Sequence, residues 1–408
     1  MPISSKRESE AKSSLAGLAF LFAVLTLPLQ LSKFFWPNYS YVLGIPIDYR
    51  SLAIYANELS ILFFILVFLI QNRSQLKNIF GKNKEQIVLL SAFNIWIFTT
   101  SFLFSKFQWA SLVFNLRLAV ISIFFIFALN ILKNSEVRKK LISVLIFSVA
   151  WQTAIVLYQL IFQKSLGAWF LGERSFDSST TLIAHFNLFG RQLLRPYGTF
   201  PHPNALAAFF AISLLTLMNQ KRLLLPKILA LAGGLLTFSK SFILSLLLSP
   251  APYFLKARYV IFLPFISILI WLIAAYTFHF QIASFSERLL LIQASVNLSR
   301  DNFLFGSGSN NFIAQLANFN LFSVSEIRLL QPVHNVFFLI LVENGIGGLL
   351  IFILFLMSLA RNLKNTSSLA IFVTLMIFAS LDHFFWTLAQ GRFLFFLSLA
   401  YIASAKKK

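Results

Sequence analysis

The sequence predicts an all-α protein, a polytopic membrane helical bundle of about twelve transmembrane helices with two longer extracytoplasmic loops. Composition favours this class, because 58% of the 408 residues are hydrophobic and only 12% are charged. Soluble domains carry about 25% charged residues, so water is not the main solvent of this chain. Apolar runs of about the length that a spanning helix needs recur along the chain. We find no internal repeat and no linker, so residues 1–408 are predicted to form a single integral membrane domain.

Twelve apolar runs are candidate spans. They lie near residues 14–32, 52–71, 87–104, 108–131, 141–163, 203–219, 224–238, 241–255, 259–278, 334–359, 367–381 and 393–405. We place a break at "TFSKS", because one unbroken helix would bury Lys240 in hydrocarbon. The longest connections, residues 164–202 and 279–333, are the predicted extracytoplasmic loops, and the second contains a predicted helix that ends near Arg300.

The net charge of +21 invites an interpretation as nucleic-acid binding, which the positions of the charges exclude. If the N-terminus is cytoplasmic, every inner connection is basic, from Lys6 and Arg7 to the terminal Lys408. This positive-inside pattern predicts cytoplasmic N- and C-termini and accounts for most of the excess charge. The first span lacks a cleavage site and is predicted to be a retained anchor. The absence of cysteine excludes disulfides, thiolate nucleophiles and Cys-bound zinc.

Two outer arginines and two outer histidines stand next to apolar segments. Arg195 and Arg288 adjoin runs where burial is expected, and the fork of a guanidinium suits a phosphate group. His202 and His334 begin predicted spans, where an imidazole could transfer a proton near neutral pH. A helix-end histidine bonded to backbone or water is the alternative for both. By contrast, Arg174, Arg300 and Arg328 are interpreted as solvated loop charges.

Further ionisable groups lie within spans or at their ends, where such groups are candidates for function. Arg117 could be functional or could be a structural staple between helices, with Glu58 as one conceivable partner. Asp382 and His383 could contact an acceptor or orient His334. We favour the simpler interpretation that these last two are incidental polar residues in an interfacial aromatic belt.

Four segments resemble, in the same order, the motifs of the O-antigen ligase/polymerase superfamily of bacterial membrane glycosyltransferases. They are "RPYGTFPHPNALAAFF", "LTFSKSFILSL", "ERLLLIQASVNLSRDNFLFGSGSNNF" and "HNVFFLILVENGIGGLL", within residues 185–350. The chain departs from the family pattern at Lys240, where arginine is usual. It also lacks the tryptophan often found within the helix that Arg288 begins.

The resemblance implies transfer of a polyprenyl (undecaprenyl) diphosphate-linked glycan to an acceptor hydroxyl, outside the cytoplasmic (inner) membrane of a bacterium. Carried over by motif, Arg195 and Arg288 would hold the diphosphate and His334 would activate the acceptor. Four further residues are assigned to substrate binding: Arg191, His202, Asn204 and Lys240. Besides membrane lipids, the predicted partners are the lipid-linked glycan donor and a glycan or lipid-glycan acceptor. The resemblance does not separate a polymerase from a ligase.

No cofactor is predicted, and the predicted reaction is independent of metal. The outer loops contain no Asp-x-Asp pair, and their acids are isolated among arginines. Because Mg²⁺ and Mn²⁺ take carboxylate oxygens, we expect arginines to supply the positive charge instead. The alternative function is a secondary transporter of about twelve spans. Transporters place polar breaks near the midplane in paired halves, whereas the polar clusters here lie at outer helix ends.

Overall fold

The structure is a computed structural model that describes residues 3–218, 220, 222–253, 257–277, 283–317, 329–363 and 365–405. Within these ranges the chain is mainly helical. The helices are α1 Ile3–Thr26, α2 Ala56–Asn72, α3 Leu76–Lys82, α4 Lys84–Phe104, α5 Gln108–Ile131, α6 Ser135–Phe162, α7 Pro203–Met218, α8 Leu224–Leu236, α9 Lys240–Leu248, α10 Ala257–Val260, α11 Leu263–Thr277, α12 Ala283–Asp301, α13 Phe312–Leu316, α14 Val336–Ala360, α15 Thr366–Leu381, α16 Phe384–Thr387 and α17 Ala389–Ala403.

Among the residues that the structure describes, five helical segments are long and apolar enough to cross a membrane. They are Ala56–Lys82, Lys84–Phe104, Gln108–Ile131, Ser135–Phe162 and Val336–Ala360, and six shorter apolar helices accompany them. Helices occur in all twelve predicted spans, while the count of twelve crossings stays a prediction. The break at "TFSKS" is observed, since α8 ends at Leu236 and α9 begins at Lys240, with the Ser239 side chain capping α9.

Phenylalanines fill the centre of the bundle. Phe124, Phe125, Phe355 and Phe393 are completely buried. Their rings meet edge to face, with centroids 5.1 Å apart for Phe124 and Phe393 and 5.4 Å apart for Phe125 and Phe355. Edge-to-face pairs at these distances are favourable because of the quadrupole of each ring. This packing joins α5, α14 and α17 into one core.

The helix α14 is interrupted at Gly345, where a regular helix was expected. Gly345 has φ of 68°, a left-handed conformation that favours glycine. A Cβ at this position would lie 2.2 Å from the carbonyl oxygen of Leu304. The segment after α12 fills the interruption, because the Ile346 amide donates to the Phe303 carbonyl at 2.8 Å. The break therefore docks the segment after α12 onto α14.

Short antiparallel strands occur between the helices, a departure from the purely helical prediction. The strands are β1 Ser32–Phe35, β2 Tyr41–Val42, β3 Ile45–Pro46, β4 Leu52–Tyr55, β5 His185–Leu188 and β6 Arg191–Leu194. They form three two-stranded sheets, β1 with β4, β2 with β3, and β5 with β6. The first two sheets lie between α1 and α2, and the third lies within residues 164–202.

Candidate active site

A cavity of about 490 Å³ lies between the segment that links α1 to α2 and the ends of several helices. Its size falls within the range of ligand pockets, about 300–1,000 Å³. Several of the lining residues are aromatic or ionisable. They are Phe34, Trp36, Asp48, Tyr49, Tyr55, Arg117, Arg174, His202, His334, Asp382, His383 and Phe384.

Asp382 is the centre of the polar cluster at this cavity. It caps the C-terminus of α15 in an extended conformation and is only 4% exposed. The Asn204 side-chain amide donates to its Oδ2 at 2.8 Å, and the His383 backbone amide donates to its Oδ1 at 2.8 Å. The His334 ring stands 5.1 Å from the His383 ring, centroid to centroid. One polar side-chain atom from each of His334, Asp382 and His383 lies within 4.8 Å of the others.

Asn335 explains why His334 reaches this cluster. Its Oδ1 caps α14 by accepting from the Phe337 and Phe338 amides at 2.8 and 3.2 Å. Its Nδ2 donates to the Ser380 carbonyl at 3.0 Å, two residues before Asp382. One asparagine thus starts α14 and ties that start to the end of α15. Capping residues of this kind satisfy amides that a helix leaves unpaired.

The two arginines approach Asp382 from outside the cavity. Arg195 donates from Nη2 to Asn204 Oδ1 at 2.8 Å and from Nε to the Thr237 carbonyl at 3.0 Å. Arg288 donates from Nη1 to the Leu381 carbonyl at 3.0 Å. Both are partly buried, and neither lines the cavity. Among the residues that the structure describes, no carboxylate forms an ion pair with either arginine.

Burial determines the charge of the three histidines. It lowers the pKa of His202 to about 4, the pKa of His334 well below 6.5, and the pKa of His383 below its ordinary value. All three imidazoles are therefore neutral near pH 7. Nδ1 of His202 accepts a hydrogen bond from the backbone amide of Asn204 at 3.1 Å, so the ring proton of His202 is on Nε2.

Asp382 stays ionised among these groups. Burial by itself raises the pKa of a carboxyl group, because it disfavours the charged form. Here His383, His334 and His202, which become positively charged in acid, and Arg288 together outweigh burial and lower the pKa of Asp382 below its ordinary value. The cluster at neutral pH therefore combines an anionic carboxylate with uncharged imidazoles.

The structure brings together five of the seven residues assigned from the sequence and leaves two apart. His334, Arg195, Arg288, His202 and Asn204 meet at the cluster, as described above. Arg191 is exposed in β6, where it pairs with Leu188 near the tip of the β5–β6 hairpin. Lys240 is exposed at the start of α9. The residue near it that contacts Arg195 is Thr237, whose backbone carbonyl accepts a hydrogen bond from Nε of Arg195.

Three residues that we interpreted as incidental lie in the cavity wall. Asp382 and His383 are its most buried ionisable groups, and Arg174 faces it from the first long loop. The signal for Asp382 and His383 was an ionisable pair, "DH", at the end of an apolar run. That signal is weak, because the contacts with Asn204 and His334 arise only from packing.

A second ionic cluster joins α2, α5 and α17. Glu58 contacts Arg117 Nε at 3.5 Å through Oε2 and Arg392 Nη2 at 3.2 Å through Oε1. Arg117 also donates to the Ala53 carbonyl. Of the two alternatives for Arg117, this arrangement fits the staple, and Arg392 is the additional partner that was not anticipated.

The grouping of His334, Asp382 and His383 also bears on the prediction of a metal-free site. Two imidazoles and one carboxylate are ligand types that zinc takes in proteins. In this structure, however, the oxygens of Asp382 already accept two hydrogen bonds, and Arg288 is bonded to the residue before it. A cation would therefore enter a place where positive charge is already concentrated. Independence of metal stays a prediction.

The fold and this cluster define a multi-helical membrane protein with a histidine- and arginine-lined polar centre at its helix ends. Residues 204–353 match the O-antigen ligase family. The match confirms the resemblance to the O-antigen ligase/polymerase superfamily and includes Asn204, Arg288 and His334. It implies a bacterial membrane enzyme that acts in glycan transfer, with glycan or lipid-linked substrates. Among curated proteins, none matches the chain.

Proposed function

We propose that the protein transfers a polyprenyl (undecaprenyl) diphosphate-linked glycan to an acceptor hydroxyl at the outer face of the cytoplasmic membrane. It would act as a polymerase or a ligase of O-antigen or another surface polysaccharide. The proposal depends mainly on one observation, the convergence of His334, Asp382, Arg195 and Arg288 from distant parts of the chain. His334 supplies a neutral base, and the two arginines supply positive charge that no described carboxylate holds in an ion pair.

The arginines would act on the leaving group. As the bond between the anomeric carbon and the diphosphate oxygen breaks, its electron pair moves to the diphosphate, whose negative charge rises. Cations placed there stabilise the transition state more than the ground state. Burial also lowers the pKa of Arg195, so an anionic ligand would stabilise its charged form. Arginine serves here in the electrostatic role that a metal ion has in other transferases.

His334 would act on the acceptor. Its imidazole takes the proton from the acceptor hydroxyl while that oxygen forms the new bond to the anomeric carbon. A positioned base of this kind contributes about 10²–10⁴-fold to the rate. Nδ1 of His334 is buried without a hydrogen-bond partner among the described residues. Asp382 stabilises the imidazolium that forms, and direct displacement inverts the anomeric centre.

An apolar groove next to Arg288 supports a lipid-linked donor. Its volume is about 220 Å³, and α9, α11 and α15 form it. The lining residues are Leu244, Leu263, Ile266, Ser267, Ile270, Trp271, Met376, Ile377, Ser380 and Leu381. Arg288 donates to the Leu381 carbonyl at one end of this groove. A polyprenyl chain in the groove would therefore place its diphosphate beside Arg288.

The proposal is tested on purified protein in liposomes, with an undecaprenyl-diphosphate oligosaccharide as donor. The wild-type protein is compared with His334→Ala and with His185→Ala, a histidine of β5 outside the cluster. We expect His334→Ala to lower transfer at least about 100-fold with unchanged helix content, and His185→Ala to retain it. Near-normal transfer by His334→Ala would remove it as the base. Solute flux without glycan transfer would instead favour a transporter.

A further inference from the structure

The segment between α1 and α2 forms one wall of the cavity and has no part in the proposed catalytic cluster. Its aromatic side chains make a continuous surface. The Phe34 and Trp36 rings are stacked with centroids 5.9 Å apart and an interplanar angle of 16°. Tyr55 meets Phe34 edge to face at 6.0 Å. Deeper in the cavity, Tyr49 meets the His383 ring edge to face at 5.3 Å.

Strand alternation directs these rings into the cavity. Side chains of a strand point alternately to its two faces, so Phe34 and Phe35 of β1 point to opposite faces, and Trp36 directly follows the strand. Phe34 and Trp36 line the cavity, and Phe35 does not. Trp36 nevertheless remains 38% exposed. A large ring that lines a polar cavity with that much open surface is suited to stack on a ligand.

The polar groups of the cavity suit an uncharged ligand with many hydroxyl groups. The lining contains two carboxylates, Asp48 and Asp382, and two guanidinium groups, Arg117 and Arg174. Arg117 is already paired with Glu58, so the lining has no excess of positive charge. A diphosphate would require an excess of positive charge, which lies outside the lining at Arg195 and Arg288. Ligand pockets combine aromatic surface with a few polar groups that fix orientation.

Besides Nδ1 of His334, a second polar atom of the lining lacks a partner among the described residues. Gln30 lines the cavity, and its Oε1 is buried without a hydrogen bond among the residues that the structure describes. A buried acceptor atom without a donor costs free energy. A ligand hydroxyl group would supply the missing donor. Asp48 and Arg174 are exposed in the lining and offer an acceptor and donors for further hydroxyl groups.

We propose that this cavity is the acceptor subsite, and that it takes the sugar end of an uncharged acceptor glycan. This proposal rests on the function proposed above, because it takes His334 to be the base that deprotonates the acceptor. His334 lines the cavity, whereas the arginines that would hold the diphosphate do not. The hydroxyl group that loses its proton to His334 must enter from the cavity side. Sugar faces stack on Trp36 and Phe34, while hydroxyl groups bond to Asp48, Arg174 and Gln30.

Kinetics with two substrates test the subsite. The acceptor probe is a set of short oligosaccharides released by mild acid from the host's own surface polysaccharide, with the donor used above. We expect Trp36→Ala to raise the KM for the acceptor about tenfold, typical of a truncated aromatic contact residue. The donor KM should stay within about twofold. Phe35→Ala, the neighbour on the opposite face, is the matched control and should leave both constants unchanged.

A binding measurement keeps the test decisive if Trp36→Ala folds poorly. Asp48 is exposed, and Asp48→Ala should weaken calorimetric binding of the same oligosaccharides while helix content stays unchanged. Unchanged acceptor KM in Trp36→Ala, or unchanged binding in Asp48→Ala, would overturn the subsite while transfer by the wild type upholds the proposed function. Oligosaccharide binding that depends on Trp36, without any transfer by the wild type, would support the sugar site and overturn the transferase.

Discussion

Two carboxylates at helix ends, Glu58 and Asp382, interact with nearby arginines in different ways. Glu58 forms ion pairs with Arg117 and Arg392 at 3.5 and 3.2 Å. Asp382 is bonded instead to the Asn204 amide, at 2.8 Å, and to a backbone amide. The arginines nearest to it, Arg195 and Arg288, donate to carbonyl groups and to Asn204.

The two clusters differ in what the positive charge of their arginines interacts with. At Glu58 the charge of two guanidinium groups is partly neutralised within the protein, which holds α2, α5 and α17 together. At Asp382 the arginines are positioned by neutral acceptors, so their charge stays available to an anionic ligand. A buried or partly buried cation is costly without an anion. The first cluster is therefore expected to govern stability, and the second to govern activity.

Removing the charge of each carboxylate should separate these roles most clearly. Asp382→Asn should lower kcat by about 10²–10⁴-fold, which is the contribution of a general base, because His334 depends on Asp382 to stabilise its imidazolium. Glu58→Gln should leave transfer within a few-fold but destabilise the protein by about 3 kcal/mol, since two guanidinium groups lose their counter-ion. Transfer assays and thermal unfolding in detergent measure both. Equal losses of activity in the two variants would refute the distinction.

Exchanging arginine for lysine at the second cluster should have the next largest effect. Arg195→Lys keeps the positive charge but removes the guanidinium group, which donates to both Asn204 and Thr237. A lysine also cannot donate two parallel hydrogen bonds to a phosphate group. We expect transfer to fall about 10–100-fold. Arg300→Lys, at the exposed end of α12, is the control and should match the wild type. A wild-type rate for Arg195→Lys would mean that its charge alone matters.

The dependence of kcat/KM on pH should change by a smaller amount and in a defined direction. His334 acts only when neutral, and burial lowers its pKa well below 6.5. The value of kcat/KM should therefore be flat near neutral pH and fall only as the pH drops through that lowered pKa. Asp382 counteracts burial by raising the pKa of His334. Hence Asp382→Asn should move the acid limb to lower pH, and a move to higher pH would contradict this electrostatic assignment.

Chelation should have no effect. If the arginines supply the positive charge, transfer persists after treatment with EDTA and dialysis. His334, Asp382 and His383 are nevertheless close enough to hold an ion. Loss of activity in chelator, with recovery on addition of a divalent ion, would overturn the metal-free mechanism. The same assay on the wild-type protein and on His383→Ala would then show whether that residue is a ligand.

Much of the site followed from the sequence because its residues stand at recognisable helix starts. His202 and Asn204 flank the proline that opens α7, and His334 precedes the Asn335 cap of α14. Helix starts carry local signals such as proline and capping side chains. The break at "TFSKS" was predictable for a similar reason, since a lysine interrupts an otherwise apolar run.

The remaining features depend on contacts between distant segments. Asp382 becomes central only because Asn335 ties α14 to the end of α15, a contact without a local pattern. Gly345 occurs among other glycines, and its left-handed conformation is required only by the close approach of Leu304. Arg191 and Lys240 carry the right charge at motif positions. Their exposed side chains show that a motif gives a place in the chain and not the direction of a side chain.

Direct binding of the lipid diphosphate tests the central claim, that Arg195 and Arg288 hold the leaving group beside His334. Purified wild-type protein, Arg195→Gln, Arg288→Gln and the control Arg300→Gln are titrated with undecaprenyl diphosphate and with uncharged undecaprenol. We predict that Arg195→Gln and Arg288→Gln each bind the diphosphate at least about tenfold more weakly, with undecaprenol and the control unaffected. Equal affinity of all four proteins for the diphosphate would contradict the account.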